Sequence, residues 1–302
     1  MLSSKRLDIV RRSKLLLPAS ALVRTPLHHL RGNADALIVD LRDALDTRPL
    51  MEEVASRLRA VAGLGVDLFV CIPYDGLSRA LDRLGGVRLD GIALSARSPS
   101  AVQEADRVLS AYDVPGTPPL QIDLFLDTPG ALLNLYETAT ASARVVSLTV
   151  DETALAHALG ITPSADIDQF FYPRGLALLV ARLADVQAHG LAFVPPHADG
   201  SPPSLEERAV VARKMGLTGA LCSTPEEAVI LNRAFTPPVE EVQWCRKALW
   251  VLEDALRHGL GSATLDGKEM VDIAMLKHIR TLLARESAIC RKDAQKAWAL
   301  GE

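Results

Sequence analysis

Leu120-Gln121-Ile122-Asp123-Leu124-Phe125-Leu126-Asp127, followed at once by Thr128-Pro129-Gly130, is an apolar run of strand length that ends on a carboxylate. Pro and Gly interrupt it there, so Asp127 is expected where a strand meets a loop. The same layout recurs on both sides: an apolar strand stops at a polar or charged residue and gives way to an amphipathic helix. Towards the N-terminus, strands are predicted at 14–18, 35–40, 66–72 and 89–94, with helices over 25–31, 48–62, 76–84 and 100–112. Gly32-Asn33 reads as the stop of the first helix, and Pro73 as the break after the third strand. Towards the C-terminus a helix from 131 to about 140 is followed by a strand at 145–150, a long helix over 170–188 and a strand at 191–194. An eighth strand at 218–222 leads into a helix over 225–234.

Eight near-continuous apolar strands alternating with helices are the pattern of parallel strands covered on both faces. The expected fold is therefore an α/β protein, a (β/α)8 TIM barrel over residues 1–235, whose chemistry lies in the loops at the C-terminal strand ends. A doubly wound open sheet would bring a Gly-rich phosphate loop after the first strand, and Pro18-Ala19-Ser20-Ala21 is no such loop. Phe235-Thr236-Pro237-Pro238 reads as a linker. Residues 236–302 then form a C-terminal helical extension: a helix over 239–258, a polar turn or hairpin at 259–267 and a helix over 270–285. A barrel does not need this much chain for closure, so the extension is expected to pack on a neighbouring subunit.

With 302 residues, 49% hydrophobic and 23% charged, the chain can bury one large core or two medium ones. A formal net charge of -4, with Lys and Arg scattered rather than striped, offers no field for nucleic acid. No window approaches the roughly 18 uninterrupted apolar residues of a membrane span, and the basic start Met1 to Arg6 has no apolar stretch behind it. A cytoplasmic location is the expectation. Cys71, Cys222, Cys245 and Cys290 lack CxxC spacing and are read as reduced thiols, mostly buried.

Three blocks of sequence occur in a telling order. The first is Arg12-Ser13-Lys14-Leu15-Leu16-Leu17-Pro18 with Ala34-Asp35-Ala36-Leu37-Ile38-Val39-Asp40-Leu41-Arg42-Asp43-Ala44. The second is Gly219-Ala220-Leu221-Cys222-Ser223-Thr224-Pro225 running into Asn232-Arg233-Ala234-Phe235-Thr236-Pro237. The third is Leu265-Asp266-Gly267-Lys268-Glu269-Met270-Val271-Asp272. Together they resemble the HpcH/HpaI aldolase and citrate lyase beta-subunit family. The resemblance implies an eight-fold barrel assembled as a trimer or hexamer. Such barrels make or break a carbon–carbon bond beside a carbonyl, in small substrates such as citryl-CoA, malyl-CoA or related 2-oxo and hydroxy acids, with magnesium as the usual cofactor.

The resemblance also assigns positions. The family's first metal carboxylate, a Glu ending the fifth strand, matches Asp127, one methylene shorter. Its second, an Asp after the sixth strand, falls on Ala154, with Asp151 and Glu152 close by as replacements. The Arg that ends the third strand and polarises the substrate is Cys71 here, and the acidic residue between the two aspartates of the second strand's end is Arg42. After the fourth strand, Ala96 and Ser98 stand where Lys and Glu are implied. Asp40, Asp43, Asp127 and Asp272 remain, the last matching a proton donor supplied by the neighbouring subunit. The candidate set is thus Asp127, Asp151 and Glu152 for metal, Asp40, Arg42, Asp43 and Asp272 for catalysis, and Cys71, Arg97 and His197 for substrate.

Each residue also has a plain structural reading. Asp40 and Asp43 suit loop caps, Asp127 a turn and Asp272 an exposed helix face. Arg24, Arg42 and Arg97 fall near strand ends and suit solvated surface. His28 and His29 are adjacent, a poor ligand spacing, and His157 sits on an Ala/Leu helix face. His197 and Asp199 lie in the loop after the seventh strand. Two functions stay open: a magnesium-dependent carbon–carbon lyase in which a displaced Arg compensates for Cys71, and a barrel repurposed for binding, assembly or a different reaction.

Overall fold

Parallel pairing runs from strand to strand in chain order. In the computed structural model, which describes residues 8–30, 33–72 and 74–301, β1 (Ser13–Pro18), β2 (Ala36–Asp40), β3 (Asp67–Cys71) and β4 (Gly91–Leu94) are successive neighbours. β5 (Gln121–Leu126), β6 (Val145–Val150) and β7 (Gln187–His189) continue the sheet, and β8 (Ala220–Cys222) pairs back onto β1. Between β7 and β8 the Thr218 N–H donates to the Ala188 carbonyl and the Gly190 N–H to the Gly219 carbonyl, both at 2.9 Å. The ring is thereby a nearly closed eight-stranded TIM barrel, as expected.

The outward strand faces, such as Leu37, Val39, Leu68, Val70 and Leu124, join the main core under the surrounding helices. Inward-facing Ile38, Phe69, Cys71, Ala93 and Phe125 form a separate apolar cluster inside the barrel. This two-sided burial is why the strands read as continuous apolar runs. The helices of the ring are α1 (Ala19–Arg24), α2 (Leu27–Leu30), α3 (Arg48–Val61), α4 (Leu77–Arg83), α5 (Pro99–Ser110), α6 (Pro129–Leu132) and α7 (Leu135–Thr140). They continue with α8 (Glu152–Leu159), α9 (Phe171–Ala184), α10 (Leu205–Met215) and α11 (Pro225–Ala234). Among the described residues no helix is long and apolar enough to cross a membrane.

Several elements differ from expectation, among them the helix expected over 131–140, which extended Leu133 and left-handed Asn134 split into α6 and α7. The first helix comes in two pieces, because Thr25 before Pro26 is extended (φ -75, ψ 127) and ends α1; Arg31, Gly32 and Pro73 lie outside the described residues. The seventh strand is at 187–189 rather than 191–194. Left-handed Asp185 (φ 55, ψ 45) stops α9 at Ala184 and turns the chain into the sheet early, leaving Leu191 to Val194 in a loop. α10 is an additional helix, fixed by a capping box in which Ser204 and Glu207 satisfy each other's backbone N–H groups.

Thr236–Gln295, together with residues 8–10, makes a second compact unit. It contains α12 (Val239–Arg257), an antiparallel hairpin of β9 (Ser262–Leu265) and β10 (Glu269–Asp272), a 3₁₀ turn and the start of α13 (Leu276–Leu300). Val242, Cys245, Leu252, Leu265, Val271 and Ile279 form its core. The helix expected over 270–285 is corrected: residues 270–272 are strand, because Asp266 and Gly267 both take positive φ and close a hairpin. The helix then runs further, to residue 300.

Charged groups inside the barrel unit are paired with groups of opposite sign. Lys14 Nζ lies 2.5 Å from Asp123 Oδ2, 2.8 Å from Thr149 Oγ1 and 2.6 Å from His189 Nδ1. Asp123 Oδ1 also accepts from Ser147 and Thr149, both at 2.7 Å. An ammonium only donates, so His189 Nδ1 accepts and its ring proton sits on Nε2, 3.2 Å from Gln187 Oε1. Burial pushes Lys14 down to about 8, against the opposing pull of Asp123. At the N-terminal end of the barrel, buried Asp35 takes Arg12 Nε at 2.8 Å and Lys296 Nζ at 2.7 Å. Burial raises the Asp35 carboxyl, but hydrogen bonds and charge from Arg12 and Lys296 outweigh it and hold the group well below the usual range. Gly65 (φ +75) lets Lys296 approach, since a Cβ there would lie 2.9 Å from the Lys296 Cα.

These pairs make two predictions. Asp35→Asn removes the buried carboxylate that Arg12 and Lys296 share and is expected to lose about 3–5 kcal/mol in urea denaturation at neutral pH. The wild-type advantage shrinks as pH falls below the ordinary Asp value, where the unfolded chain takes up a proton that folded Asp35 refuses. For Lys14 the folded value lies below the unfolded one, so the unfolded chain holds more protons between about 8 and 10.5. Wild-type stability should therefore rise with pH across that window relative to Lys14→Met; a constant difference in melting temperature from pH 7.5 to 10 would contradict this.

Candidate functional site at the strand ends

Five consecutive strands deliver polar side chains to one rim. β2 ends on Asp40, and the Leu41 N–H continues the sheet by donating to the Cys71 carbonyl at 2.9 Å. Arg42 then folds back: its backbone N–H donates to Asp40 Oδ1 at 3.0 Å and its Nη2 to Oδ2 at 2.6 Å. Its Nε lies 3.0 Å from each carboxylate oxygen, and the side chain is about half exposed. Cys71, the register partner of Asp40, ends β3 and is buried. Burial first, then the charges of Asp40, Asp127 and Asp151, push its thiol up to about 12, with Arg42 opposing. It is therefore a neutral wall of the site and not a nucleophile.

Ser95, just past β4, donates its hydroxyl to Asp127 Oδ1 at 2.6 Å. Asp127 is raised above the ordinary carboxylate value, chiefly by burial and also by Asp151, while Ser95 and Arg42 pull it down. Asp151 stands opposite because Leu126 and Val150 are register partners; its N–H donates to the Leu126 carbonyl at 3.3 Å. Its side chain caps α8 by accepting the Ala154 N–H at 3.0 Å. Electrostatic coupling of Asp127 with both Asp151 and Arg42 places the three in one field. Arg97 is exposed in the loop after β4, its stem beside Gly130, where a Cβ would lie 3.3 Å from its Cδ.

Other candidates lie elsewhere. The Glu152 carboxylate is gripped by buried Arg174 and is 3.6 Å from Arg208. Asp43 is exposed in the turn after β2. His197 Nε2 lies 3.4 Å from Glu207, and Asp199 accepts from Ser201. In the second unit Asp272 caps the 3₁₀ turn, accepting from Ala274 at 2.9 Å and Met275 at 3.3 Å. Arg24 donates to the Ser20 carbonyl of its own helix, and His28, His29 and His157 are exposed. Ser95 is the contact that the strand pattern does not reveal; its only sequence signal is a hydroxyl following a buried apolar run.

Among the described residues no three His, Cys, Asp or Glu side chains converge as ligands. Magnesium is commonly held by one or two carboxylates, with water and substrate completing the octahedron. By donor chemistry Asp127 and Asp151 fit that demand: both are carboxylates just past neighbouring strand ends, and Asp127, raised by burial and by Asp151, gains from a nearby cation. Glu152, already paired to guanidinium groups, does not fit.

No family model matches the chain. It is 28% identical over 286 residues to a (3S)-malyl-CoA thioesterase of Cereibacter sphaeroides, covering 91% of this chain and 95% of the relative. It is 25% identical over 265 residues to the citrate lyase beta subunit of Escherichia coli K12, covering 83% and 85%. Among solved structures, CitE of Mycobacterium tuberculosis in complex with magnesium, acetoacetate and coenzyme A matches with TM-score 0.64 and 23% identity, over 93% of this chain and 99% of that one, a likeness of fold. The three ordered sequence blocks and these near-full-length relatives, at 25–28% identity, support a likeness to the citrate lyase beta-like (HpcH/HpaI) family, and the barrel shares the fold of its solved structures.

Proposed function

We propose that the chain is a carbon–carbon lyase acting on a 2-oxo or hydroxy acid, or on its acyl-CoA thioester, in a cytoplasmic setting. The observation that carries this reading is the meeting of Asp127, Asp151 and the Asp40–Arg42 pair at one rim. Cleavage beside a carbonyl leaves its electron pair on an enolate, so positive charge is needed where oxygen becomes anionic, and proton carriers are needed at both ends.

Asp127 and Asp151 are the residues that would hold magnesium, which supplies Lewis-acid stabilisation of the developing oxygen charge. Arg42 brings a guanidinium fork from the end of β2, across the neutral thiol of Cys71. It thereby supplies the cation that the family resemblance places on β3. Asp40, which orients that fork, is the group assigned to accept the substrate hydroxyl proton, and Asp272 the one assigned to protonate the enolate carbon from a neighbouring subunit. Ser95 fixes Asp127 in orientation. Arg97 and His197 are assigned to the outer part of the substrate, and Asp43 to the loop that carries Arg42.

The replacements at Cys71 and Ala154 favour a second reading, a barrel repurposed for binding or for another reaction. The two separate in one assay, the release of a 2-oxo acid or acyl-CoA from malyl-CoA and citryl-CoA with magnesium present. The lyase reading expects wild-type turnover that falls about 10²-fold or more in Asp127→Ala and in Arg42→Ala, with folding unchanged by circular dichroism. Full turnover in Asp127→Ala would remove the metal from the reading. No turnover by the wild type would favour the repurposed barrel.

A further inference from the structure

Among the described residues the largest fully buried side chain is Arg174 of α9. Its Nη1 donates to Glu152 Oε1, at the start of α8, and its Nη2 to Asp168 Oδ1, in the loop that leads from α8 into α9. Arg208 of α10 lies 3.6 Å from the other Glu152 oxygen, and its Nε donates at 3.1 Å to the Ala192 carbonyl in the loop after β7. Glu152 is thus held from two later helices of the ring.

A buried guanidinium is a costly way to hold a helix down, since an apolar side chain of similar volume would stabilise the packing as well or better. What the ion pair adds is direction: the planar fork fixes the carboxylate that it grips, where an apolar contact can slide. The residue so fixed is the first of α8, and the residue before it is Asp151. Asp151 has two ties of its own, its N–H on the Leu126 carbonyl at 3.3 Å and its Oδ1 accepting the Ala154 N–H at 3.0 Å. The second tie exists only where the first turn of α8 presents that N–H. The orientation of the Asp151 carboxylate is therefore set by a turn whose first residue Arg174 clamps.

We propose that Arg174 is a positioning residue for Asp151: through Glu152 it holds the first turn of α8, and with it the carboxylate that the lyase reading gives to magnesium. It rests on that reading for the metal, whereas the hold on Asp151 stands on the Glu152 and Ala154 contacts alone. Asp168, on the other arm of the same guanidinium, supplies the control, because its loss damages the ion pair and leaves the grip on Glu152.

Two measurements on wild type, Arg174→Met and Asp168→Asn test this. One is hydrogen exchange of the Ala154 amide in metal-free protein, which reports the Asp151 cap directly. The other is calorimetric titration of magnesium with oxaloacetate present. In Arg174→Met the Ala154 amide should exchange at least about tenfold faster and magnesium should bind at least about tenfold more weakly. Charge alone predicts the opposite for magnesium, since removing a cation favours a dication nearby. Asp168→Asn should melt at a lower temperature than wild type yet keep both readings within about twofold of it. Unchanged Ala154 exchange in Arg174→Met, or the same acceleration in Asp168→Asn, would overturn the proposal. Absence of magnesium binding by the wild type would count against the lyase reading, and Ala154 exchange would still decide the role of Arg174. Should Arg174→Met fail to fold, Arg174→Lys, which keeps the charge but not the fork, decides by the same two readings.

Discussion

Parallel register is the constraint on which the site depends. Every strand of the barrel enters at the same end, so the residue that follows each strand emerges on the same rim, whatever its distance in sequence. Asp40 stands beside Cys71 because they are register partners, and Asp127 and Asp151 each follow one of the register partners Leu126 and Val150. A slip of one residue in β5 would turn Asp127 outward and bring Leu126 to the rim. The chemistry therefore rests on hydrogen bonds that themselves take no part in it.

Buried charge helps to fix that register. Lys14 and Asp123 face each other across the interior from β1 and β5, and both are almost fully buried. Asp35 gathers Arg12 and Lys296 at the opposite end from the reactive rim. Such pairs add little net stability compared with apolar residues of the same shape, but breaking one leaves an uncompensated ion in a low-dielectric interior. Misregistered sheets would be penalised in the same way. Asp123 lies four residues before Asp127 on the same face of β5, about 13 Å along the strand, so the Lys14 network is part of the sealed core and not of the rim.

Much of this was legible in the sequence because apolar strands between helices leave a strong pattern. β7 was misplaced because its inward residues, Gln187 and His189, are polar partners of the interior network, while the apolar run at 191–194 belongs to a loop. The hairpin of the tail was hidden inside an amphipathic stretch, although Asp266-Gly267 signalled a turn. At the site, Asp40 and Asp127 stood out as carboxylates closing apolar runs. What sequence could not show was side-chain partnership. Glu152 follows β6 as closely as Asp151 does, yet Arg174, twenty-two positions on, holds it, and nothing local announces that pairing.

The account turns on Asp127 as the centre of a divalent-cation site completed by Asp151. The most direct measurement is calorimetric titration of magnesium into wild type and Asp127→Ala, each with oxaloacetate present. The account predicts saturable binding by the wild type that is weakened at least about tenfold, or lost, in the variant. Equal binding by the two proteins, or binding by neither, would contradict it.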